Sequence, residues 1–210
     1  MKEDKKIKKA KKGTYGYIRW QKCQRLVITL ALFALPLTFF IVGMVLNKGD
    51  RKNIYTLIAV VGCLPACRST VNLILIWTQH SIMLPIYEEL SVLSEKVCMV
   101  YELYLTTYEK NLMVEAAAIC GEEVACFAPK ADKNITFFEE HMQKILRANG
   151  YKSHVKIFTD KKHFSERVLS LDAHYDELER GANEKFRPDE QYPDLSRDEL
   201  VKHNLMAIAL

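Results

Sequence analysis

The residues with the greatest chemical potential in this sequence are a small polar set inside an apolar segment. Arg68, Ser69 and Asn72 interrupt the otherwise largely apolar run 54–77. Counted from Pro65, they follow at steps of three, one and three residues, which places all four on one helical face. A charge at the centre of a bilayer costs about 2.5–3.5 kcal/mol on insertion scales, so such residues are candidates for function. We interpret the set as an intramembrane functional or packing site, and a snorkelling Arg68 is the alternative.

The other residues capable of chemistry form patterns that favour packing over catalysis. Cys63 and Cys67 lie four residues apart on one helical face, and Cys120 and Cys126 flank Gly121. A soft-metal or redox site is the alternative at each pair, but cysteines of this kind more often act as small apolar residues. The histidines show no metal-binding spacing, and there is no Ser/His/Asp pattern or glycine-rich phosphate loop. We therefore predict no catalytic residue, no metal site and no cofactor.

Two long apolar segments must position the polar set. Residues 26–46 contain no charged side chain, and at about 1.5 Å per residue a helix of that length crosses the roughly 30 Å hydrocarbon core of a bilayer. The segment 54–77 is also long enough to cross with some tilt. Because lipid leaves backbone groups without partners, both segments must be helical. The short polar loop 47–53 between them predicts an antiparallel transmembrane hairpin over residues 26–77.

The distribution of positive charge predicts the orientation of this hairpin. Residues 1–25 carry ten lysine and arginine side chains, whereas the loop 47–53 carries three. The positive-inside rule then places the N-terminus in the cytoplasm, and two crossings return the C-terminal part to the same side. We expect a multi-pass protein of the cytoplasmic (plasma) membrane. Residues 1–25 form a basic juxtamembrane arm, expected to be disordered, whose lysines favour contact with anionic lipids of the bilayer.

The part of the chain after the hairpin has the opposite charge. Residues 1–78 contain 14 basic and 3 acidic side chains, which leaves 16 basic and 23 acidic side chains for residues 79–210. The resulting net charge of −7 in that part argues against nucleic acid as a partner. In this topology all six cysteines lie in the membrane or the cytoplasm, so we expect reduced thiols.

The residues after the hairpin predict a connecting helix over 78–97 and a small cytoplasmic α/β domain over 98–210. Pro85 begins the connecting helix, and its apolar positions continue to Val97. Strands rich in β-formers are predicted at 98–107, 112–120, 123–128 and 154–159. The second of these, 112–120, is rich in alanine, so a helix is an alternative for that stretch.

Capping patterns predict the remaining helices. One begins at Asn134 or at Thr136, which has capping-box spacing to Glu139, and continues to residue 150. A second is capped by Asp160, and residues 180–195 are expected to be loop. A last helix runs from a capping box at Ser196 through residue 208. The fold class is thus α/β or α+β: a two-helix hairpin and a mixed-sheet domain in the order α-β-β-β-α-β-α, plus a C-terminal helix.

The order helix, three strands, helix, strand is also that of restriction-endonuclease-like domains. Their metal-dependent chemistry needs two acids on adjacent strands and a lysine two residues after one of them. Glu115 and Glu123 lie on suitable strands, but Ala125 occupies the position where that lysine is needed. This mismatch and the acidic domain disfavour a nuclease.

Three stretches of the sequence carry a resemblance to known proteins. They are LPACRSTVNLILI in the second span, and FFEEHMQKILRANGY and VKIFTDKKHF in the soluble part. With them the chain resembles a group of uncharacterised two-span bacterial membrane proteins. That group has no established activity, so the resemblance implies a membrane hairpin with a small cytoplasmic α/β domain and transfers no functional residue.

Together these patterns favour a non-catalytic role. An anchor joined to a domain without catalytic motifs is typical of a membrane-tethered interaction or accessory protein, with a protein partner that the sequence does not specify. The second span, through Arg68 and its neighbours, is a candidate surface for self-association. Two alternatives remain: a membrane-surface enzyme with an unrecognised site, and a small transporter or channel subunit built on Arg68 and the two span prolines.

Overall fold

The computed structural model describes residues 10–46, 54–107, 110–131, 135–184, 186 and 192–209. The chain divides into two compact units. Of the described residues, the hairpin unit contains those of Ile18–His80, and the sheet unit contains those of Ala10–Tyr17 and Ser81–Leu210. The loop 47–53, from which we expect an antiparallel hairpin, lies outside the described residues.

The hairpin unit consists of two helices, α1 (Tyr17–Leu46) and α2 (Ile54–Trp77). Both are long and apolar enough to cross a membrane. Helix α2 has the predicted bounds, whereas α1 begins nine residues before the apolar run. The expectation that the whole basic arm is disordered is therefore wrong for residues 10–25. Charged and aromatic residues continue the helix there because its hydrogen bonds do not depend on an apolar side chain.

The two spans approach each other closely where Gly62 of α2 faces Pro36 of α1. A Cβ atom added at Gly62 would lie 3.3 Å from the Pro36 Cγ atom. Small residues at such a crossing permit close backbone approach, which is the main source of van der Waals attraction between helices in lipid.

The sheet unit is built on a four-stranded sheet in the order β1-β2-β3-β4. The first three strands are antiparallel neighbours, and β4 pairs parallel to β3. The alanine-rich stretch is a strand and not a helix: Ala116, Ala117 and Ala118 are completely buried between elements on both faces of the sheet. The strands are β1 (Cys98–Thr106), β2 (Asn111–Cys120), β3 (Glu123–Phe127) and β4 (His154–Phe158).

Helices cover both faces of this sheet, which confirms the predicted mixed α/β class. The helices are α3 (Leu84–Val92), α4 (Ile135–Ala148), α5 (Lys161–Ala173), α6 (Tyr175–Asn183) and α7 (Arg197–Ile208). One core packs under α4 and α7, and the second packs under α3 and α5.

Three local predictions are corrected by the structure. Helix α3 ends at Val92 and not at 97, because the Ser94 hydroxyl oxygen accepts a hydrogen bond from the Val97 amide in a non-helical turn. Helix α6 occupies residues 175–183, and so extends into the expected loop 180–195. Thr136 lies inside α4 and does not cap it, and the proposed cap at residue 134 falls outside the described residues.

The caps predicted for the last two helices are confirmed. The Asp160 carboxylate accepts a hydrogen bond from the Lys162 amide at the start of α5. At the start of α7, the Ser196 hydroxyl oxygen accepts from the Glu199 amide, and the Glu199 carboxylate accepts from the Ser196 amide. These bonds satisfy amide groups that the first helical turn leaves unpaired.

Backbone groups on the two outer edges of the sheet form hydrogen bonds with other segments of the unit. At β1, the Tyr101 amide donates to the Gly13 carbonyl oxygen at 2.9 Å. At β4, the Ile157 amide donates to the Glu139 carboxylate at 2.7 Å, and the Gln143 side-chain amide donates to the Val155 carbonyl oxygen at 3.3 Å. Occupied edge groups do not template an additional strand, so these contacts protect the sheet from edge-to-edge association.

Candidate functional site

A polar cleft of about 400 Å³ lies between the two helices of the hairpin unit. It contains every member of the polar set that the sequence singles out on the second span. The lining residues are Gln21, Gln24, Arg25, Ile28, Pro65, Arg68, Ser69 and Asn72.

The two helices contribute to this polar cleft with the same spacing. The positions on α1 and those on α2 both follow steps of three, one and three residues, the spacing of a single helical face. Thr29 and Ser69 fix the register of the two faces, because their hydroxyl oxygens lie 2.7 Å apart. Thr29 is buried and Ser69 is partly exposed, so this bond is partly buried.

The sequence patterns do not identify the side of the cleft that α1 contributes. Gln21, Gln24 and Arg25 precede the apolar run, so the sequence places them in the basic arm that we expect to be disordered. The signal that could identify them is the spacing of residues 21, 24, 25 and 28, which repeats the spacing on α2. An antiparallel neighbouring helix must place one of its own faces opposite Arg68. Only the pairing of the helices reveals which face it is.

The cleft is positively charged and lacks acidic residues. Arg25 and Arg68 both line it, and the ion pairs found among the described residues all lie in the sheet unit. The sequence explains this imbalance, because Asp50 is the only acid between Asp4 and Glu88. Neither Arg25 nor Arg68 therefore has an acidic side chain near it in the sequence.

The cleft extends from the middle of α2 toward the end of the hairpin. Arg68 lies nine residues before Trp77, which is about 13 Å of helix. Near that end, the Lys22 ammonium donates a hydrogen bond to the Gln79 carbonyl oxygen and lies 6.0 Å from the centre of the Trp77 ring. Arg68 thus has polar neighbours from both helices in the cleft, which lowers the cost of placing its charge in an apolar segment.

A second depression, which we call the charged groove, lies in the sheet unit between β3, β4 and α5. Its volume is about 650 Å³. An Arg167–Glu123 ion pair at 3.0 Å crosses it, and His163 lies 3.1 Å from the Asp160 carboxylate. Lys156 and Glu166 add further charges of both signs. The Arg167–Glu123 pair is partly exposed and the His163–Asp160 pair is exposed, so solvent screens both pairs and each contributes little stability.

The geometry excludes the nuclease arrangement at Glu115 and Glu123. Glu123 pairs with Cys120 in the sheet register, and Glu115 lies five residues further along β2. At about 3.3 Å per strand residue the two acids are separated by roughly 16 Å, too far to hold one metal ion. No group of three or more potential metal ligands occurs within the described ranges.

Glu115 instead faces an acid on the neighbouring strand. The pairs Tyr101–Ala116 and Leu103–Val114 on either side place Glu102 opposite it. Glu102 is buried, has φ +56°, and accepts a hydrogen bond from the Ser81 hydroxyl. Burial raises the pKa of Glu115 and the Glu102 carboxylate raises it further, while Lys130 opposes both effects. Glu115 does not line the charged groove.

The sheet cysteines behave as packing residues. Cys120 and Cys126 are completely buried, and burial raises the pKa of each thiol to about 12. A raised pKa keeps a thiol protonated, which disfavours nucleophilic attack by the thiolate at neutral pH. The register pairs Cys126 with Ala117 and Cys120 with Glu123, so the two cysteines do not meet across the β2–β3 turn. Cys63 and Cys67 do not line the polar cleft.

Comparison of the chain with protein-family models, with curated proteins and with solved structures finds no match. Function is therefore inferred from the residues and their geometry.

Proposed function

We propose that this protein is a membrane-anchored, non-catalytic interaction or accessory protein whose sheet unit faces the cytoplasm. The supporting observation is that the segment Ala10–Tyr17, which directly precedes the first span, belongs to the sheet unit that follows the second span. A domain that receives the chain from both ends of a hairpin requires both ends on one side of the membrane.

Several contacts hold this segment in the sheet unit. The Gly13 carbonyl oxygen accepts from the Tyr101 amide, and the Lys12 ammonium donates to the Ala209 carbonyl oxygen at 2.6 Å. The Tyr15 and Tyr87 rings stack with their centres 4.4 Å apart. Backbone, charge and aromatic contacts together make the segment part of the domain.

The excess of lysine and arginine before the first span indicates which side of the membrane carries both ends of the hairpin. Residues 1–25 contain ten basic side chains against three in the loop 47–53, so the shared side is the cytoplasm and the membrane is the cytoplasmic (plasma) membrane. Both termini then lie in the cytoplasm. The N-terminal lysines add attraction to anionic lipids at the inner surface.

Thiol labelling of intact cells tests this topology. We expect Lys48→Cys, in the loop between the spans, to react with a membrane-impermeant maleimide from outside. The exposed Ser91→Cys in α3 should react only after permeabilisation. Mass spectrometry locates the label and separates it from the native thiols. Labelling of Ser91→Cys in intact cells, or recovery of the chain without detergent, would overturn the proposal.

The charged groove is the surface of the sheet unit that fits a protein partner. Its cations and acids lie beside an edge strand whose outward groups are already occupied, so recognition proceeds through side chains and not by strand addition. We expect a partner co-purified after gentle extraction to be lost with Lys156→Glu. The matched variant Lys144→Glu, on the exposed side of α4, should retain it. Equal retention by both variants would contradict a role for the groove.

The same groove supports a second candidate, an enzyme at the membrane surface. Asp160, His163 and Glu166 share its lining, which gives it carboxylate and imidazole groups. The acids and thiols with raised pKa values, such as Glu115 and Cys126, lie outside it. Turnover of any substrate class by the purified protein, abolished by His163→Ala, would favour the enzyme over the interaction protein.

A transporter or channel subunit remains the third candidate, because the polar cleft enters the span. It predicts that Arg68→Leu changes ion or solute flux through reconstituted vesicles. Unchanged flux with unchanged membrane insertion would exclude it.

A further inference from the structure

We infer that the polar cleft binds a phosphate-bearing anionic group, and that the group is the headgroup of an anionic lipid from the cytoplasmic leaflet. This inference rests on the proposed membrane insertion of the hairpin. It assigns the cleft a ligand, whereas the N-terminal lysines provide only general attraction to a charged surface.

The first argument is uncompensated charge. Arg25 and Arg68 line one cavity, and none of the other residues that line it is acidic. Neither span contains an acid anywhere along its length. Two guanidinium groups that share a cavity repel each other unless an anion lies between them, and the cost grows where lipid replaces water. A counterion for these two arginines therefore comes from outside the two helices.

The second argument is the nature of the donors. Each guanidinium presents five N–H groups in a planar fork that matches the oxygens of a phosphate. The side-chain amides of Gln21, Gln24 and Asn72 supply further N–H donors around the same cavity. A lining rich in donors and free of carboxylates selects an anion with several acceptor oxygens.

The third argument is the shape and position of the cleft. A volume of about 400 Å³ exceeds that of a phosphate group, so the cavity also holds the adjoining glycerol region of a lipid. Ile28 and Pro65 provide apolar surface in the lining, and both are exposed on the hairpin. Exposed apolar residues beside the donors allow the acyl chains of a lipid to remain in the bilayer while its headgroup enters.

A second copy of the chain fits the cleft less well. Pairing Arg68 with another subunit through the spans would require an acid in the partner's span, and this sequence has none. Self-association would therefore bring together like charges. An anionic lipid supplies the opposite charge directly.

Lipid binding to the purified full-length protein in neutral detergent tests the inference. Native mass spectrometry compares phosphatidylglycerol, phosphatidylcholine and inorganic phosphate as probes. The cleft variant carries Arg25→Gln with Arg68→Gln. The matched control carries Lys11→Gln with Arg19→Gln, which removes the same charge from exposed positions outside the cleft.

We expect the wild type and the matched control to prefer phosphatidylglycerol over phosphatidylcholine. The cleft variant should bind phosphatidylglycerol at least tenfold more weakly, because it loses the charged donors of hydrogen bonds to the phosphate. Inorganic phosphate should not displace the lipid, because it lacks the acyl contacts near Ile28 and Pro65.

Three outcomes would overturn the inference. Equal losses in the cleft variant and the matched control would show that only overall charge matters. Equal binding of phosphatidylcholine and phosphatidylglycerol would show that the cleft does not require a lipid with a net negative charge. Displacement by inorganic phosphate would assign the cleft to a soluble anion instead of a lipid. Membrane insertion and melting temperature of each variant are measured in parallel, so a failure of the anchor is distinguished from a failure of the lipid site.

Discussion

Replacing Gly13 with alanine is expected to release the segment Ala10–Tyr17 from the sheet unit. Gly13 has φ +81°, a left-handed conformation that glycine adopts without strain. A Cβ atom there would lie 2.8 Å from the Met206 Sδ atom and 3.0 Å from the Val100 Cγ1 atom. The substitution therefore strains the backbone and crowds two core side chains at once.

Gly16 provides a control that separates these two costs. It has φ +83°, but a Cβ atom at Gly16 would meet no atom within 4 Å. Both alanine variants incur about 1–2 kcal/mol for the left-handed backbone. Only Gly13→Ala adds crowding, which costs about 1–2 kcal/mol because the flexible Met206 side chain can partly yield. We expect Gly13→Ala to weaken docking by that additional amount.

Hydrogen exchange of the Tyr101 amide measures this difference, since that amide donates to the Gly13 carbonyl oxygen. Exchange from a locally opened state reports the free energy of opening. An additional 1–2 kcal/mol should make the Tyr101 amide of Gly13→Ala exchange about 5–30 times faster than that of Gly16→Ala. The full-length protein in detergent is used for both.

Equal exchange of the Tyr101 amide in the two variants would refute the reasoning. It would mean that the segment is not packed against Val100 and Met206. The same-side argument for the two ends of the hairpin would then lose its structural support, although the positive-inside argument would stand.

Three further substitutions test the sheet unit. Gly121→Ala should lower the free energy of unfolding by about 2–5 kcal/mol, because Gly121 has φ +57° and a Cβ atom there would lie 2.6 Å from the Leu178 carbonyl oxygen. Gly150 also has a positive φ, but no atom lies within 4 Å of its added Cβ atom. Gly150→Ala should therefore lower the free energy of unfolding by only about 1–2 kcal/mol. Ser196→Ala removes the cap of α7 and should cost about 1 kcal/mol in thermal unfolding, with Ser196→Asp restoring it. Glu115→Gln should be more stable than the wild type at neutral pH, because a raised pKa means that ionisation opposes folding. That advantage should disappear as the pH falls through the raised pKa to below the ordinary value of a glutamate, and an advantage that grows on acidification would contradict the assignment.

Most of the fold is predictable from local sequence. The strands have nearly the predicted bounds because runs of β-formers end at turns such as Gly121. The last two helices begin where Asp160 and Ser196 predict, because a cap depends on residues only two or three positions apart. The missed helix α6 has a largely polar sequence, and its packing against the β2–β3 turn is a tertiary contact.

The candidate site is predictable only in part. The spacing of Pro65, Arg68, Ser69 and Asn72 identifies one wall of the polar cleft. The opposite wall depends on which face of α1 meets α2, and the Thr29–Ser69 contact joins residues 40 positions apart. No local pattern encodes a pairing over that separation.

The sequence by itself determined the two apolar spans and the excess of lysine before them, because length, hydropathy and charge are properties of the residues alone. It also determined that the spans contain arginine and no acid. Tertiary structure decided that the segment before the first span joins the domain after the second, and that two arginines from different helices share one cleft. Those outcomes depend on packing between distant residues, where shape and available partners select one arrangement from many that composition permits.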